Sequence, residues 1–243
     1  MTETVLLCTP SHLPLLRLSL PRLLEVGVVP TVYCCGIEVS CEVVAMGACS
    51  VVLPDDDGGL FGTPEFSRFI ATKFDVLLDA LQRDDVLFLD ADVMVERNPI
   101  DDLDTDCDIF AQSDGRPDVD GDIVCTGCWW MRSCPEVLSF LAAARARQLA
   151  VSRERFYCDE AAVFDELHEP HSLRVKYAPR DLWQNAARWL ASDRSGSPTL
   201  IHWNGAGRYS VAEKLAAISP SLGGSPRVSS LISVAEPPSI SID

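Results

Sequence analysis

The chain has 243 residues, 47% hydrophobic and 23% charged, the proportions of an ordinary globular protein with enough length for one large core. Its formal net charge of −16 repels phosphate backbones and anionic lipid, which argues against nucleic acid or a membrane as the main partner. A polyanionic ligand of such a protein needs a local cation: a Lys, an Arg or a metal ion.

The N-terminus has no basic leader, and Pro10, Pro14 and Pro21 interrupt its apolar run. It reads neither as a signal peptide nor as a membrane span, and the expectation is a soluble, cytoplasmic protein. Val5-Leu6-Leu7-Cys8, followed by Thr9-Pro10-Ser11, predicts a first strand ending in a loop. Leu15, Leu18, Leu23 and Leu24 then carry helical spacing to Gly27. Val32 to Cys35 and Ser50 to Leu53 are short apolar runs bounded by Gly, Pro or Asp, and predict strands. A long helix is expected over about Pro64 to Gln82, then a strand over Val86 to Leu89. Asp108 to Ala111 and Cys128 to Met131 predict two more strands. Ser133-x-x-Glu136 has the form of a capping box, with Pro135 in the first turn of a helix running to about Ala150. Asp159 to His168 and Leu182 to Leu190 have helical patterns, and Leu173 to Tyr177 and Thr199 to Trp203 have strand patterns. Helices alternating with short strands indicate an α/β fold: a Rossmann-like, mixed but mainly parallel central sheet flanked by helices, with an antiparallel excursion in the second half. Residues 1–218 read as a single domain, and residues 219–243, rich in Ser, Pro and Gly, as a loosely held tail.

Ten cysteines are present, and the close pairs are Cys34-Cys35 and Cys125-x-x-Cys128. A structural zinc site needs a second such pair or correctly spaced histidines, and neither follows. Cys8, Cys107, Cys125 and Cys128 sit in apolar stretches where a reduced thiol packs as a small hydrophobe, the usage of a reducing compartment.

The stretch "VLFLDADVMVERNP" runs an apolar strand into Asp90 and Asp92. Residues i and i+2 of an extended segment point to one side, so both carboxylates face one pocket or one solvated turn. In a pocket they repel, and a divalent cation with a taste for hard oxygen ligands, Mg²⁺ or Mn²⁺, relieves the repulsion. In an open α/β sheet, ligands bind at the carboxyl ends of strands, where these aspartates lie. Lys73 falls within the apolar stripe formed by Phe66, Phe69, Ile70, Phe74, Leu77, Leu78 and Leu81, so it must either snorkel out or meet an anion such as Asp90 or a ligand phosphate. His202, in "LIHWNGAGRYS", follows a short strand and precedes a glycine-rich loop. An imidazole there suits the third ligand position beside two carboxylates. Asp159 occupies an N-cap position, with Glu160 favourable to the helix dipole. Asp118-x-Asp120-Gly121-Asp122 lacks the distal glutamate of a calcium loop and reads as a solvated acidic loop.

Taken in order, "DVLFLDADVMVERNP", "DIFAQSDG", "TGCWWMRSCPEVLSFL", "DEAAVFDEL" and "IHWNG" resemble the nucleotide-diphospho-sugar transferase family, GT-A fold glycosyltransferases that include plant arabinosyl- and xylosyltransferases. The match spans roughly Thr63 to Lys214, and Thr9 after the first strand fits the family's nucleotide-binding start. The resemblance implies a GT-A fold and transfer of a sugar, with retention, from a nucleotide-sugar donor (a UDP-sugar) to a glycan, protein or small-molecule acceptor. It implies Mn²⁺ or Mg²⁺ held by Asp92, Asp90 and His202, with Asp90 at the metal or the ribose. Lys73 would lie near the diphosphate or the acidic pair, Asn204, Gly205 and Lys214 along the diphosphate, and Thr126 and Gly127 beside the donor. Asp114 would lie near the donor sugar, with Asp159 and Glu160 at the reaction centre. Two positions depart from the family: Cys125 stands where Asn is usual before Thr/Ser-Gly, and Glu160 stands where Gln follows the Asp. A strand ending in D-x-D also opens haloacid dehalogenase-like phosphatases, with Asp90 then the nucleophile. That motif usually lies near the N-terminus and continues differently from Val93-Met94-Val95. A third alternative is an inactive GT-A module that binds a nucleotide or glycan.

Overall fold

In the computed structural model of the chain, the residues described are 1–59, 62–114, 123–191, 196–204 and 211–218. The first half alternates strand and helix: β1 (Thr2–Cys8), α1 (Leu13–Glu25), β2 (Thr31–Cys35), α2 (Ile37–Ala45), β3 (Cys49–Leu53), α3 (Pro64–Ala80) and β4 (Asp85–Leu89). It continues with β5 (Val93–Val95), β6 (Ile109–Ser113), β7 (Val124–Met131), α4 (Pro135–Val151) and α5 (Asp159–Leu167). The last elements are β8 (Val175–Tyr177), β9 (Trp183–Asn185), α6 (Ala186–Ala191), β10 (Leu200–His202) and α7 (Val211–Ile218).

Seven strands form one sheet in the order β3-β2-β1-β4-β7-β6-β8. The strands from β3 to β4 are mutually parallel, β7 is antiparallel to both β4 and β6, and β8 is parallel to β6. The antiparallel excursion expected from the sequence is therefore β7. A second sheet, β5-β10-β9, pairs β10 antiparallel to β5 and parallel to β9.

Strand β4 reads as an unbroken apolar run because both its faces are covered. Val86 and Phe88 pack with Phe74, Leu77 and Leu81 from the α3 side, together with Trp129 and Leu141. Leu87 and Leu89 point the other way and pack with Leu16, Leu20 and Leu23 of α1 and with Trp130. Helix α3 starts where the chain supplies a cap: the Thr63 hydroxyl accepts the Phe66 N–H at 3.2 Å, with Pro64 in the first turn. All ten cysteines are free, six of them buried, which agrees with their reading as packing residues. Among the described residues no helix is long and apolar enough to cross a membrane.

Several expectations needed correction. The pattern over Leu182 to Leu190 is not one helix, because Trp183–Asn185 pair with β10 and are buried, and the helix starts at Ala186. Tertiary pairing overrides a local helical pattern here. The Ser133 capping box does not form: the Ser133 hydroxyl donates to the Leu81 carbonyl at 2.6 Å and its N–H to Asp85 Oδ1 at 2.8 Å, leaving Cys134 at the cap. Asp159 is the first residue of α5 rather than its N-cap, which is Cys158. Elements α2, β5 and α7 were not anticipated, and β5, at three residues, is too short to show a period. The acidic loop expected at residues 118–122 and the tail expected at residues 219–243 lie outside the described residues.

One buried amide fixes how α5 approaches α3. Gln148 of α4 donates to the Ser67 carbonyl at 2.9 Å and to the Tyr157 carbonyl at 2.7 Å, while the Tyr157 N–H donates to Ser67 Oγ at 2.8 Å. This ties the chain entering α5, and with it Asp159, to the helix that carries Lys73. Gln148→Leu strips two buried carbonyls of their donor, and each such loss costs about 1–3 kcal/mol. Urea unfolding should show a fall in stability of at least that size. An unchanged midpoint and slope would remove the network from the account.

Candidate functional site

The site forms where β4 stops. The Asp90 N–H donates to the Gly127 carbonyl at 2.8 Å, adding a last rung to the β4–β7 ladder and setting Asp90 beside Gly127. The Val93 N–H closes a turn on the Asp90 carbonyl at 3.1 Å, and the chain reverses into β5. Since β5 pairs antiparallel with β10, Val93 lies opposite His202, and the Trp203 N–H donates to the Asp92 carbonyl at 3.1 Å. Two ladders therefore bring together three side chains that are distant in sequence.

One ligand atom each from Asp90, Asp92 and His202 lies within 4.8 Å of the others. His202 Nε2 is 3.2 Å from Asp92 Oδ1 and 3.7 Å from Asp90 Oδ2. Gly127 makes this approach possible: a Cβ there would lie 2.3 Å from Asp90 Oδ2 and 2.3 Å from His202 Cε1. Two hard carboxylates and a borderline imidazole, crowded around a position cleared by a glycine, form a donor set that fits Mn²⁺ or Mg²⁺.

Strand β7 is irregular at this point. It pairs with β6 at Ala111↔Trp129 and again at Ser113↔Val124, so one β6 residue, Gln112, faces four β7 residues, Cys125–Cys128. Such a bulge frees backbone and side chains from the ladder and re-aims them, here delivering Thr126 and Gly127 to the site.

Lys73 meets its anions. Its ammonium, 3% exposed, lies 2.7 Å from Asp159 Oδ2 and 3.2 Å from Asp90 Oδ1, and contacts the Thr126 carbonyl at 3.4 Å. The Thr126 hydroxyl also donates to Asp159 Oδ2 at 2.7 Å. Burial alone would lower the Lys73 pKa, but Asp159 and then Asp90 outweigh it and hold the group charged. Asp159 is the mirror case: burial raises its pKa, and Lys73 brings it below the usual carboxylate range.

A second lysine, Lys214 of α7, sits 2.5 Å from Asp92 Oδ2. Burial would raise the Asp92 pKa, but His202 and Lys214 hold it well below normal. Correspondingly, burial lowers the His202 pKa while Asp92 raises it further. Asp114 Oδ1 accepts from Asn204 Nδ2 at 2.8 Å and from Asn185 Nδ2 at 3.2 Å. Glu160 has its pKa raised to about 8 by burial and by the nearby Asp159 and Asp114 charges. Thr9 is buried at the end of β1, its hydroxyl 2.8 Å from Ser11 Oγ and 2.9 Å from His12 Nδ1.

The residues singled out from the sequence thus converge, except Gly205, which lies outside the described residues. Three neighbours were missed. Asn185 sits in the stretch read as helix. Gln112 is a polar residue inside an apolar strand, a signal that was available. His12 has a pKa lowered first by burial, with the charges of Asp92, Lys214, Asp90 and Lys73 also acting on it. It ends the "TPSH" run at the tip of the first strand, a position where open α/β sheets bind ligands.

Solved structures with the same fold are glycosyltransferases. A galactosyltransferase, LgtC, in complex with donor and acceptor sugar analogs aligns with a TM-score of 0.59 at 15% identity, covering 98% of each chain. A glycosyltransferase involved in glycosylation of the major capsid of PBCV-1 aligns with a TM-score of 0.59 at 12% identity, covering 91% of this chain and 98% of that one. An active-site mutant of LgtC with Glu in place of Gln aligns with a TM-score of 0.60 at 14% identity, covering 98% of each chain. The fold is therefore the GT-A fold, with an acidic site at the strand ends. A family model for nucleotide-diphospho-sugar transferases matches residues 38–211, and the chain belongs to that family. It is a glycosyltransferase, and the phosphatase alternative falls with that membership. A sequence search among curated proteins finds no match.

Two expected outcomes follow from this geometry. Gly127→Ala should separate Asp90 from His202 and destabilise the protein by about 1–3 kcal/mol, as overpacking does. A crystal structure of the variant with both side chains unmoved would contradict this. Glu160 binds a proton in the folded state up to about pH 8, whereas the unfolded carboxyl releases it near its ordinary value of 4.5. Between those values the folded state holds more protons, so this group lowers stability as pH rises, by up to about 1.4 kcal/mol per pH unit. Glu160→Gln should be more stable than the wild type at pH 8 and gain little at pH 4, as read by urea unfolding. A pH-independent difference would contradict the raised pKa.

Proposed function

We propose that the chain transfers a sugar from a UDP-sugar to a hydroxyl of a glycan, protein or small-molecule acceptor, with a divalent cation and with retention of anomeric configuration. The observation that carries this is the convergence of Asp90, Asp92 and His202 around the space that Gly127 clears. Asp92 and His202 are the principal ligands of Mn²⁺ or Mg²⁺, and Asp90 reaches the ion or the ribose. When bound, the ion stabilises the negative charge that develops on the diphosphate leaving group.

The protein's own groups divide the remaining work. Lys214, now against Asp92, is the cation free to turn to the diphosphate once Asp92 serves the ion. Asn204 lies along the diphosphate, and Thr9 lies toward the nucleoside. Lys73 is fully engaged by Asp159 and Asp90, so its part is to hold both carboxylates in place rather than to bind phosphate. Thr126 and Gly127 form the floor beneath the donor, and Asp114 faces the donor sugar with its carboxylate oriented by Asn185 and Asn204.

The carboxyl groups also bear on stereochemistry. An inverting transfer needs a carboxylate free to take the acceptor proton during attack from the opposite face. Asp159 is locked by Lys73 and Thr126, and Asp114 by two asparagines. Glu160, protonated below about pH 8, is a poor base at neutral pH. None of the three is suited to that task, which favours retention. A protonated Glu160 has an O–H to donate where the glutamine usual at this position has an N–H, so the exchange is compatible with turnover.

Titration calorimetry with UDP, with and without Mn²⁺, is the direct test, followed by assay of UDP-sugar hydrolysis. UDP binding should require the ion and disappear in Asp92→Ala, and at least one UDP-sugar should be hydrolysed. Metal-independent UDP binding, or none, would sink the metal reading. Metal-dependent binding with no turnover of any donor would identify an inactive binding module.

A further inference from the structure

The far side of His202 is as constrained as the near side. While Nε2 faces Asp90 and Asp92, Nδ1 points into the sheet, where it meets Gln112 Oε1 at 3.2 Å and Cys125 Sγ at 3.2 Å. All three side chains are buried. A neutral imidazole offers a lone pair at Nε2 only when its proton sits on Nδ1, and that N–H needs an acceptor where water does not reach. The amide oxygen of Gln112 is a strong acceptor. Cys125, kept as a neutral thiol by burial, is a weak one.

Gln112 is placed for this task at some expense. Its neighbours Ile109, Phe110 and Ala111 are core residues, and Gln112 Nε2 has no hydrogen-bond partner among the described residues. A buried glutamine with half its amide unmet is a poor strand residue unless its other half is needed. It also stands alone opposite the β7 bulge, where the ladder is broken and a side chain can be redirected toward His202.

We infer that Gln112 is a positioning residue that holds His202 as the Nδ1–H tautomer, leaving Nε2 to ligate the divalent cation, with Cys125 as a second and weaker contact. The inference rests on the metal reading proposed above. The opposite amide orientation would have Gln112 donate to Nδ1 and force the proton onto Nε2, between the ring and Asp92, where it would block the cation. The oxygen of Gln112 therefore acts as a selector between a metal-binding and a metal-excluding imidazole.

The test uses the full chain, Mn²⁺ alone as the probe in calorimetry, and ring ¹⁵N spectra of the Mg²⁺-loaded protein. Gln112→Met keeps the length but removes the strong acceptor, and should weaken Mn²⁺ binding by about 10–100-fold. Gln112→Glu restores an acceptor oxygen and should return the affinity to within a few-fold of wild type, a rescue that a purely structural role would not produce. In the wild-type spectra the His202 proton should reside on Nδ1 and Nε2 should be bare, a measurement independent of whether any variant folds. Wild-type Mn²⁺ affinity in Gln112→Met, or a protonated Nε2 in the loaded wild type, overturns the inference alone. Absence of Mn²⁺ binding by the wild type removes the metal reading and the inference together.

Discussion

The site depends on one buried ammonium. Lys73 lies between Asp159 and Asp90, and thereby joins α3, the start of α5 and the end of β4. Its Nζ also stands 5.1 Å from the centre of the Phe88 ring, the last residue but one of β4, where a cation–π contact adds to the attraction. Buried ion pairs contribute little net stability relative to apolar packing, but removing one partner typically costs 3–5 kcal/mol because a charge is left unpaired. The worth of Lys73 is therefore geometric. It draws two carboxylates toward one point that neither would approach unaided, and it holds the Asp159 carboxyl below the usual carboxylate range.

That arrangement answers a difficulty set by composition. A chain with net charge −16 that takes a nucleotide-diphospho-sugar must receive a multiply charged anion, and its site already gathers Asp90, Asp92 and Asp114 from strand ends and Asp159 and Glu160 from the start of α5. The lysines compensate part of this charge, and a divalent ion would complete it while supplying the positive face that a diphosphate requires. Glu160 is the group the lysines leave over. Burial first, and then the Asp159 and Asp114 charges, push its pKa up to about 8.

The sequence made some of this legible and hid the rest for identifiable reasons. Strand β4 and its two aspartates were readable because a doubly covered strand is a continuous apolar run and its end is abrupt. Lys73 was readable because a charge inside an amphipathic stripe violates the helical period and demands a partner. Its actual first partner, Asp159, was not, since "CDEAAVFDEL" is an ordinary acidic helix start and capping accounts for it equally well. Asn185 was hidden by the helical look of Leu182 to Leu190, which gave way to pairing with β10. The three-residue strand β5 was too short for any pattern, yet it carries the register that sets His202 against Asp92. Gly127 was quoted as part of a motif, but its reason emerged only from the crowding of Asp90 and His202 against its Cα.

The bulge in β7 shows how a single irregularity can build a site from a regular fold. A strand in continuous register with β6 would alternate its side chains between the two faces of the sheet and leave no backbone free. By opposing four residues to one, the chain turns Cys125–Cys128 out of that ladder while Cys128 remains paired with Leu89 of β4. Gly127 then accepts the Asp90 N–H through its carbonyl and yields space through its missing side chain. Thr126 uses its carbonyl for Lys73 and its hydroxyl for Asp159, and Cys125 and Gln112 are brought against the back of His202. Thr126, Gly127, Cys125 and Gln112 are thus all drawn from this break, and they meet Lys73, which comes from α3. The break leaves no periodic trace in "VCTGCWWM". The acidic face of the site and the face packed into the sheet are consequences of the same interrupted ladder.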